Sequence, residues 1–76
     1  MNLKKLLFRF VMWDKQDNKY VTIFKTYECS EAHMQENDIS VIAEKAAHTV
    51  TCMNPRYIVL KDWTYFGTED EVVFMN

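Results

Sequence analysis

Two pairs of potential metal ligands are the first chemical pattern in the chain. Cys29 and His33 stand four residues apart, and His48 and Cys52 repeat that spacing in mirrored order. Side chains four residues apart lie on one face of a helix, so two such pairs offer the ligands of a tetrahedral Cys2His2 zinc site. The alternative is that both cysteines pack as small hydrophobic residues and both histidines are solvated. Zinc knuckles hold their cysteines in glycine-containing turns, which this pattern lacks, so we expect no bound metal and no other cofactor.

Groups suited to catalysis are scarce. Glu69, Asp70 and Glu71 form a run of carboxylates, but acid–base catalysis needs one carboxyl in an apolar pocket that raises its pKa. Nucleophilic catalysis by a Cys-His pair needs a third residue that orients the pair, and the spacing of the sequence identifies no such residue. Gly67 is the only glycine, which rules out a glycine-rich phosphate loop or a dinucleotide fingerprint. We therefore expect that the protein is not an enzyme.

Length and composition favour one small globular domain spanning residues 1–76. Hydrophobic residues make up 49% and charged residues 26% of the chain, which is typical of a folded protein. The formal net charge of -2 argues against binding to duplex nucleic acid, whose affinity comes largely from Lys and Arg on phosphates. Two lysines and an apolar run open the chain as in a signal peptide, but Arg9 interrupts the run and no small-residue cleavage site follows. We expect a cytoplasmic protein of a prokaryotic host cell, with free thiols and no membrane association.

The N-terminal half predicts a β-hairpin. The stretch Leu6–Trp13 is apolar on both faces of a strand, with Arg9 as the only interruption. Residues 5–13 and 19–28 are rich in β-branched and aromatic side chains, and a polar loop over residues 14–18 joins them. Such a pattern indicates two antiparallel strands.

The second half predicts a helix and then two more strands. A helix over residues 38–52 begins at an Asn37 or Asp38 N-cap and ends at Asn54-Pro55. Its apolar stripe consists of Ile39, Ile42, Ala43, Ala46 and Val50. Strands are predicted over residues 56–66 and 71–75, with a turn over residues 67–70 between them. The secondary structure of residues 29–37 is ambiguous, although Ser30 could cap a helical turn there. The expected fold is α+β: β-β-α-β-β, a four-stranded, mainly antiparallel sheet with one helix packed on one face.

A single helix can cover only one face of the predicted sheet, so the side chains on the other face must be either solvated or covered by a partner. The covered side is predicted to collect Leu6, Phe8, Phe10, Met12, Val21, Ile23, Ile58 and Leu60. The uncovered side is predicted to collect Arg9, Val11, Trp13, Tyr20, Thr22, Phe24, Tyr57, Val59, Lys61, Trp63 and Tyr65. A bulge near Asp62 would shift Trp63 and Tyr65 to the covered side.

Tyr, Trp and Arg are enriched at binding hot spots, which makes the uncovered side a candidate interface. The candidate partner-binding residues are Arg9, Trp13, Tyr20, Phe24, Tyr57, Lys61, Trp63 and Tyr65, together with Glu69, Asp70 and Glu71 at the predicted hairpin tip. The alternative is an ordinary solvated sheet face, on which scattered aromatic residues need no partner.

The hairpin over residues 8–27, the helix over residues 38–52 and the acidic tip at 69–71 together resemble small orphan proteins of phages and mobile elements. That group includes anti-CRISPR and other anti-defence inhibitors. The resemblance implies a stoichiometric inhibitor that occludes a surface of a host enzyme or its nucleic-acid channel. It assigns no individual residue a role.

The expected function is therefore a non-enzymatic protein-binding module, and the resemblance implies a phage-type inhibitor of a prokaryotic defence system such as CRISPR-Cas or of a host enzyme. One alternative is a homodimeric structural or regulatory module that buries the same face against a second copy. Another alternative is a protein that binds single-stranded nucleic acid by stacking bases on the aromatic residues. The negative net charge of the chain argues against this alternative. The expected partner is another protein or a second copy of the chain.

Overall fold

The computed structural model describes residues 3–68, which form a small α+β fold of one sheet and two helices. The elements follow as β1 (Leu3–Asp14), β2 (Lys19–Ser30), α1 (Glu31–Glu36), α2 (Ile39–Met53) and β3 (Tyr57–Thr68). Within that part of the chain the sheet has three antiparallel strands in the order β2-β1-β3. The α+β class and the antiparallel sheet are confirmed.

The prediction of four strands and one helix is correct only in part. Gly67 and Thr68, predicted to begin a turn, lie inside β3 and pair with Leu7 and Leu6 of β1. The predicted fourth strand, residues 71–75, lies outside the described residues. A second helix, α1, forms within residues 29–37, whose secondary structure the sequence did not determine.

The short helix α1 begins at a side-chain cap. The hydroxyl of Ser30 accepts a hydrogen bond from the main-chain N–H of His33 at 3.1 Å. Such a cap satisfies one of the N–H groups that the first helical turn leaves without a partner. Met34 of this helix packs against the core, so α1 lies on the same side of the sheet as α2.

The β1–β2 hairpin matches its prediction. The strands pair without a break from Leu3 opposite Ser30 to Asp14 opposite Lys19. Asp14 closes the turn, since its Oδ1 accepts hydrogen bonds from the N–H groups of Gln16 and Asp17 at 2.9 and 3.2 Å. Asn18 has a φ of 54°, a conformation that asparagine tolerates better than most residues.

Helix α2 covers one face of the sheet with small and branched side chains. Its buried residues are Ile42, Ala43, Ala46, Ala47 and Val50. The alanines let the helix backbone approach the sheet, where Leu6, Phe8, Phe10 and Met12 of β1 are 0% exposed. Asp38 is the N-cap, and the helix ends at Met53 before Asn54, whose N–H donates to the carbonyl of Val50 at 3.0 Å. Both ends agree with the prediction to within one residue.

Strand β3 departs from regular alternation at three places. Its register against β1 shifts between Leu7 and Phe8, between Val11 and Met12, and between Met12 and Trp13. The residues of β3 left over at these shifts are Phe66, Lys61 and Val59. An extra residue in one strand reverses which face the following side chains occupy. The bulges therefore decide which β3 side chains join the core.

The bulges overturn part of the predicted face assignment. Trp63 lies opposite Phe10 and Tyr65 opposite Phe8, and both pack against the core on the helix side. Tyr57 also packs there, opposite Asp14. Ile58, predicted to lie in the core, instead lies opposite Trp13 on the other side of the sheet.

Candidate functional site

The sheet face turned away from both helices is the candidate site, and we call it the open face. Its members, assigned by register or by ring contact, include Lys5, Leu7, Arg9, Val11, Trp13, Tyr20, Thr22, Phe24, Thr26, Glu28, Ile58, Lys61, Asp62, Thr64 and Phe66. No helix of the described chain packs over it, since the core-lining residues of α1 and α2 all lie on the opposite side.

One end of the open face carries an aromatic pair and a lysine. Trp13 and Tyr20 lie opposite each other on β1 and β2, and their rings meet edge to face with centroids 5.0 Å apart. Lys61, the bulged residue of β3, reaches across β1 and places its Nζ 4.1 Å from the centroid of the Tyr20 ring. This distance suits a cation–π interaction, which orients the ammonium on an exposed aromatic surface.

The middle of the open face carries a second aromatic pair beside an arginine. Phe24 of β2 and Phe66 of β3 stack with centroids 6.2 Å apart, so their rings meet over β1, which separates the two strands. Phe24 is 64% exposed and Phe66 is 44% exposed. Arg9 lies between Phe24 and Thr64 in register, and its Nη2 donates a hydrogen bond to the Thr64 hydroxyl at 2.9 Å.

The bulges of β3 place two of these side chains on the open face. Lys61 and Phe66 are both left-over residues at register shifts. At the shift between Leu7 and Phe8, Gly67 has a φ of 109°, a value that residues with a Cβ seldom adopt, so glycine permits the bulge beside Phe66. The same irregularities that turn Trp63 and Tyr65 inward therefore turn Lys61 and Phe66 outward.

Five of the predicted partner-binding residues lie together on the open face, and three do not. The five are Arg9, Trp13, Tyr20, Phe24 and Lys61. The three are Tyr57, Trp63 and Tyr65, which pack on the core side because of the β3 bulges. The remaining candidates, Glu69, Asp70 and Glu71, lie outside the described residues.

Several members of this face were not among the residues predicted for it, and Phe66 and Ile58 are the two large apolar ones on β3. Strict alternation along the predicted strand leaves Phe66 off the uncovered side, although the Phe66-Gly67 pair is a signal for a glycine bulge. Ile58 was assigned to the core by strict alternation, and the extra residue at Val59 reverses that assignment.

A charged cluster anchors the hairpin turn to the start of β3. The Asp14 carboxylate, 2% exposed, accepts hydrogen bonds from Arg56 Nε and Nη2, the shortest at 2.7 Å. Arg56 Nη2 also pairs with Asp17 at 2.9 Å, and its guanidinium lies 5.5 Å from the centroid of the Tyr57 ring. The hydrogen bond from Arg56 holds the pKa of Asp14 below its usual 3.8 against the opposing effect of burial, and it raises the pKa of Arg56. Because these charges pair with one another within the fold, we interpret the cluster as stabilising the structure and not as a binding site.

The four potential metal ligands do not converge. Cys29 is buried at the end of β2, where burial raises the pKa of its thiol. His33 of α1 is paired with Asn37, whose Nδ2 lies 3.2 Å from His33 Nδ1. His48 and Cys52 do meet on α2, with Nε2 and Sγ 3.3 Å apart. Within residues 3–68 no three His, Cys, Asp or Glu side chains gather as a metal site would need.

Two shallow grooves border the helices. The first, of about 340 Å³, lies between α2 and the sheet and is lined by Met12, Glu44, Ala47, His48, Thr51 and Leu60. The Thr51 hydroxyl donates to the main-chain carbonyl of His48 at 3.0 Å, so it is not aimed at the imidazole. The second, of about 330 Å³, is lined by Lys4, Glu31, Met34, Gln35 and Thr68. Neither groove pairs a nucleophile with a base.

Comparison with known proteins supplies no relative. No protein-family model, curated protein or solved structure matches the chain. None of the helices described here has the length and apolar character needed to cross a membrane.

Proposed function

We propose that the protein is a non-enzymatic binding module that engages another protein through the open face. The observation that carries the proposal is the clustering of Trp13, Tyr20, Phe24, Phe66 and Lys61 on one side of the sheet. Single exposed aromatic residues are ordinary, whereas contiguous exposed aromatic groups beside cations are typical of protein interfaces.

The packing of these rings supports the proposal further. Each ring is already held by a neighbour, in the Trp13–Tyr20 and Phe24–Phe66 pairs. A partner would meet side chains with little rotamer freedom left to lose, and aromatic groups combine large area with low entropy cost on binding. The three long strands beneath provide a rigid support.

The experiment compares capture by matched variants. Phe24→Ser and Tyr20→Ser each remove a ring from the open face, and Met53→Ser removes an apolar side chain that is 76% exposed at the end of α2. Each variant, checked for folding by circular dichroism, is immobilised and exposed to a bacterial lysate. We expect one protein retained by the unmodified chain and by Met53→Ser and lost from both open-face variants, since truncating a hot-spot aromatic costs about 2 kcal/mol or more.

Two outcomes would overturn the proposal. Capture that is equal for all three variants would show that the open face is not used. Sedimentation of the unmodified chain as a dimer, with the dimer lost in Phe24→Ser, would mean that a second copy covers the face instead.

The narrower hypothesis of a phage-type inhibitor stays a prediction, based on the resemblance in size and element order. Expression in a strain with an active CRISPR-Cas system tests it by plasmid transformation. Restored transformation that the Phe24→Ser variant fails to give would support an inhibitor acting through the open face. Unchanged interference in strains carrying different defence systems would contradict it.

A further inference from the structure

The C-terminal part of helix α2 carries a histidine and a cysteine whose side chains are in contact. His48 and Cys52 are four residues apart, which places them on one face of the helix. The Nε2 atom of His48 lies 3.3 Å from the Sγ atom of Cys52. Both side chains are exposed, and Cys52 is a free thiol. Imidazole nitrogen and thiolate sulfur are two of the ligands that bind Zn²⁺ in proteins.

The distance between the two atoms suits a shared metal ion. Zinc lies about 2.3 Å from a thiolate sulfur and about 2.0–2.1 Å from an imidazole nitrogen, with its ligands at tetrahedral angles. Those values place the sulfur and the nitrogen of one site about 3.5 Å apart. Because the observed separation is 3.3 Å, a small side-chain rotation is enough to bind an ion. The helix therefore holds the pair close to its binding geometry.

One chain supplies only half of the ligand set of a structural zinc site. Such sites use four protein ligands, and two cysteines with two histidines are a common set. Among residues 3–68 no third ligand gathers with this pair. Cys29 is buried at the end of β2, while His33 has its Nδ1 paired with Asn37 and its Nε2 covered. The two missing ligands must therefore come from outside the chain.

We propose that a zinc ion joins two copies of the protein, with His48 and Cys52 of each copy forming a Cys2His2 site. A two-fold axis through the ion relates the two pairs, so each copy contributes the same surface, as in most homodimers. Two thiolates balance the charge of Zn²⁺. Each thiol releases its proton to solvent on binding, and each imidazole binds through the Nε2 lone pair while its proton stays on Nδ1.

The position of the pair on α2 favours a cation. Cys52 lies next to the last helical residue, Met53, where main-chain carbonyls without helical partners carry partial negative charge. The last turn of this helix, which the structure describes in full, contains no basic side chain. One turn before His48, the carboxylate of Glu44 lines the same groove as the imidazole, and Lys45 beside it partly offsets its charge.

The zinc site lies on the other side of the sheet from the open face. Helix α2 packs against the core side of β1, so joining two copies through its exposed surface leaves both open faces accessible. A particle with two binding faces gains avidity for a partner that presents repeated sites. The inference therefore goes beyond the proposed function and does not depend on it.

The test uses Co²⁺ as a spectroscopic substitute for zinc in the reduced full chain. Cobalt bound by thiolate absorbs in the near ultraviolet through charge transfer from sulfur, and we expect this absorption to saturate at one ion per two chains. Added Zn²⁺ should displace the cobalt, whereas Mg²⁺ should not, because it prefers oxygen ligands. Sedimentation should show a dimer with Zn²⁺ and a monomer after EDTA is added.

Matched variants identify the ligands. Removing even a residue that only orients a metal ligand typically costs about 10- to 100-fold in affinity, so His48→Gln and Cys52→Ser should each weaken binding about tenfold or more. Both side chains are exposed, so we expect both variants to fold, which circular dichroism checks. His33→Gln is the control for loss of a histidine and should keep both the absorption and the dimer, as should Phe24→Ser on the open face.

Four results would overturn the inference. Absence of the charge-transfer absorption would show that the pair does not bind the metal, and absorption kept in Cys52→Ser would assign the ion to another thiol. Affinity unchanged in His48→Gln would show that the imidazole is not a ligand. Saturation at one ion per chain without a dimer would mean that water, and not a second copy, completes the site. None of these results bears on the open face.

Discussion

Replacing Val59 by glycine is expected to stabilise the protein. Val59 adopts a φ of 55°, in the left-handed region, at one of the register shifts of β3. For a residue with a Cβ this conformation costs about 1–2 kcal/mol, and a β-branched side chain is poorly suited to it. Glycine in a strand costs about 0.5–1 kcal/mol in lost chain entropy. Since the Val59 side chain is 66% exposed, its removal sacrifices little apolar burial.

The difference between these two costs predicts a gain of about 0.5–1 kcal/mol for Val59→Gly. A domain of this size gains about 4–8 °C in Tm per kcal/mol, so thermal unfolding should shift upward by about 2–8 °C. Thr22→Gly is the matched control, because Thr22 is an exposed β-branched residue that lies in the unbroken pairing of β2. That variant should lower Tm. A decrease in Tm for Val59→Gly of the same size would refute the strained bulge.

Three further predictions follow from particular contacts. Because Arg56 holds the pKa of Asp14 below its usual 3.8, Asp14 contributes stability above about pH 4 that is lost as the pH falls through its folded pKa. Arg56→Gln should therefore lower Tm at neutral pH and reduce the loss of stability on acidification, and an unchanged acid profile would contradict this. A thiol reagent such as DTNB should modify exposed Cys52 at once and buried Cys29 only on unfolding, so Cys52→Ser should abolish the rapid phase. Ser30→Ala should lower the stability of α1 by about 1 kcal/mol, measured as faster amide exchange at His33; exchange that stays unchanged would argue against the cap.

Alternation predicted the central strand correctly because β1 has no irregularity in its pairing with β2. Leu6, Phe8, Phe10 and Met12 form the buried side as expected, and Arg9 and Trp13 lie on the other. The helix was equally predictable, since its stripe and both ends depend on local spacing and capping.

Strand β3 could not be predicted in the same way, because a period of two carries no information on where an extra residue enters. Asp62 interrupts the apolar pattern and indicated one possible bulge, which the structure places at Lys61. Gly67 was interpreted as a turn residue when its positive φ serves a bulge within the strand. Val59 gave no signal, since valine favours regular strands and its backbone conformation is imposed by tertiary pairing. The bulge at Lys61 accounts for the altered faces of Trp63 and Tyr65, and the bulge at Val59 accounts for those of Tyr57 and Ile58.

The most direct test of the open face as the binding site is an NMR titration of the labelled chain with the protein that the unmodified chain retains from the lysate. The proposal predicts that backbone amide shifts concentrate at Arg9, Phe24 and Thr64, with smaller changes near Trp13. Amides of α2 around Ala47 and Thr51, which line the groove on the opposite side, should stay unchanged. Shifts confined to α2 and its groove, with Arg9 and Phe24 unaffected, would contradict the central claim.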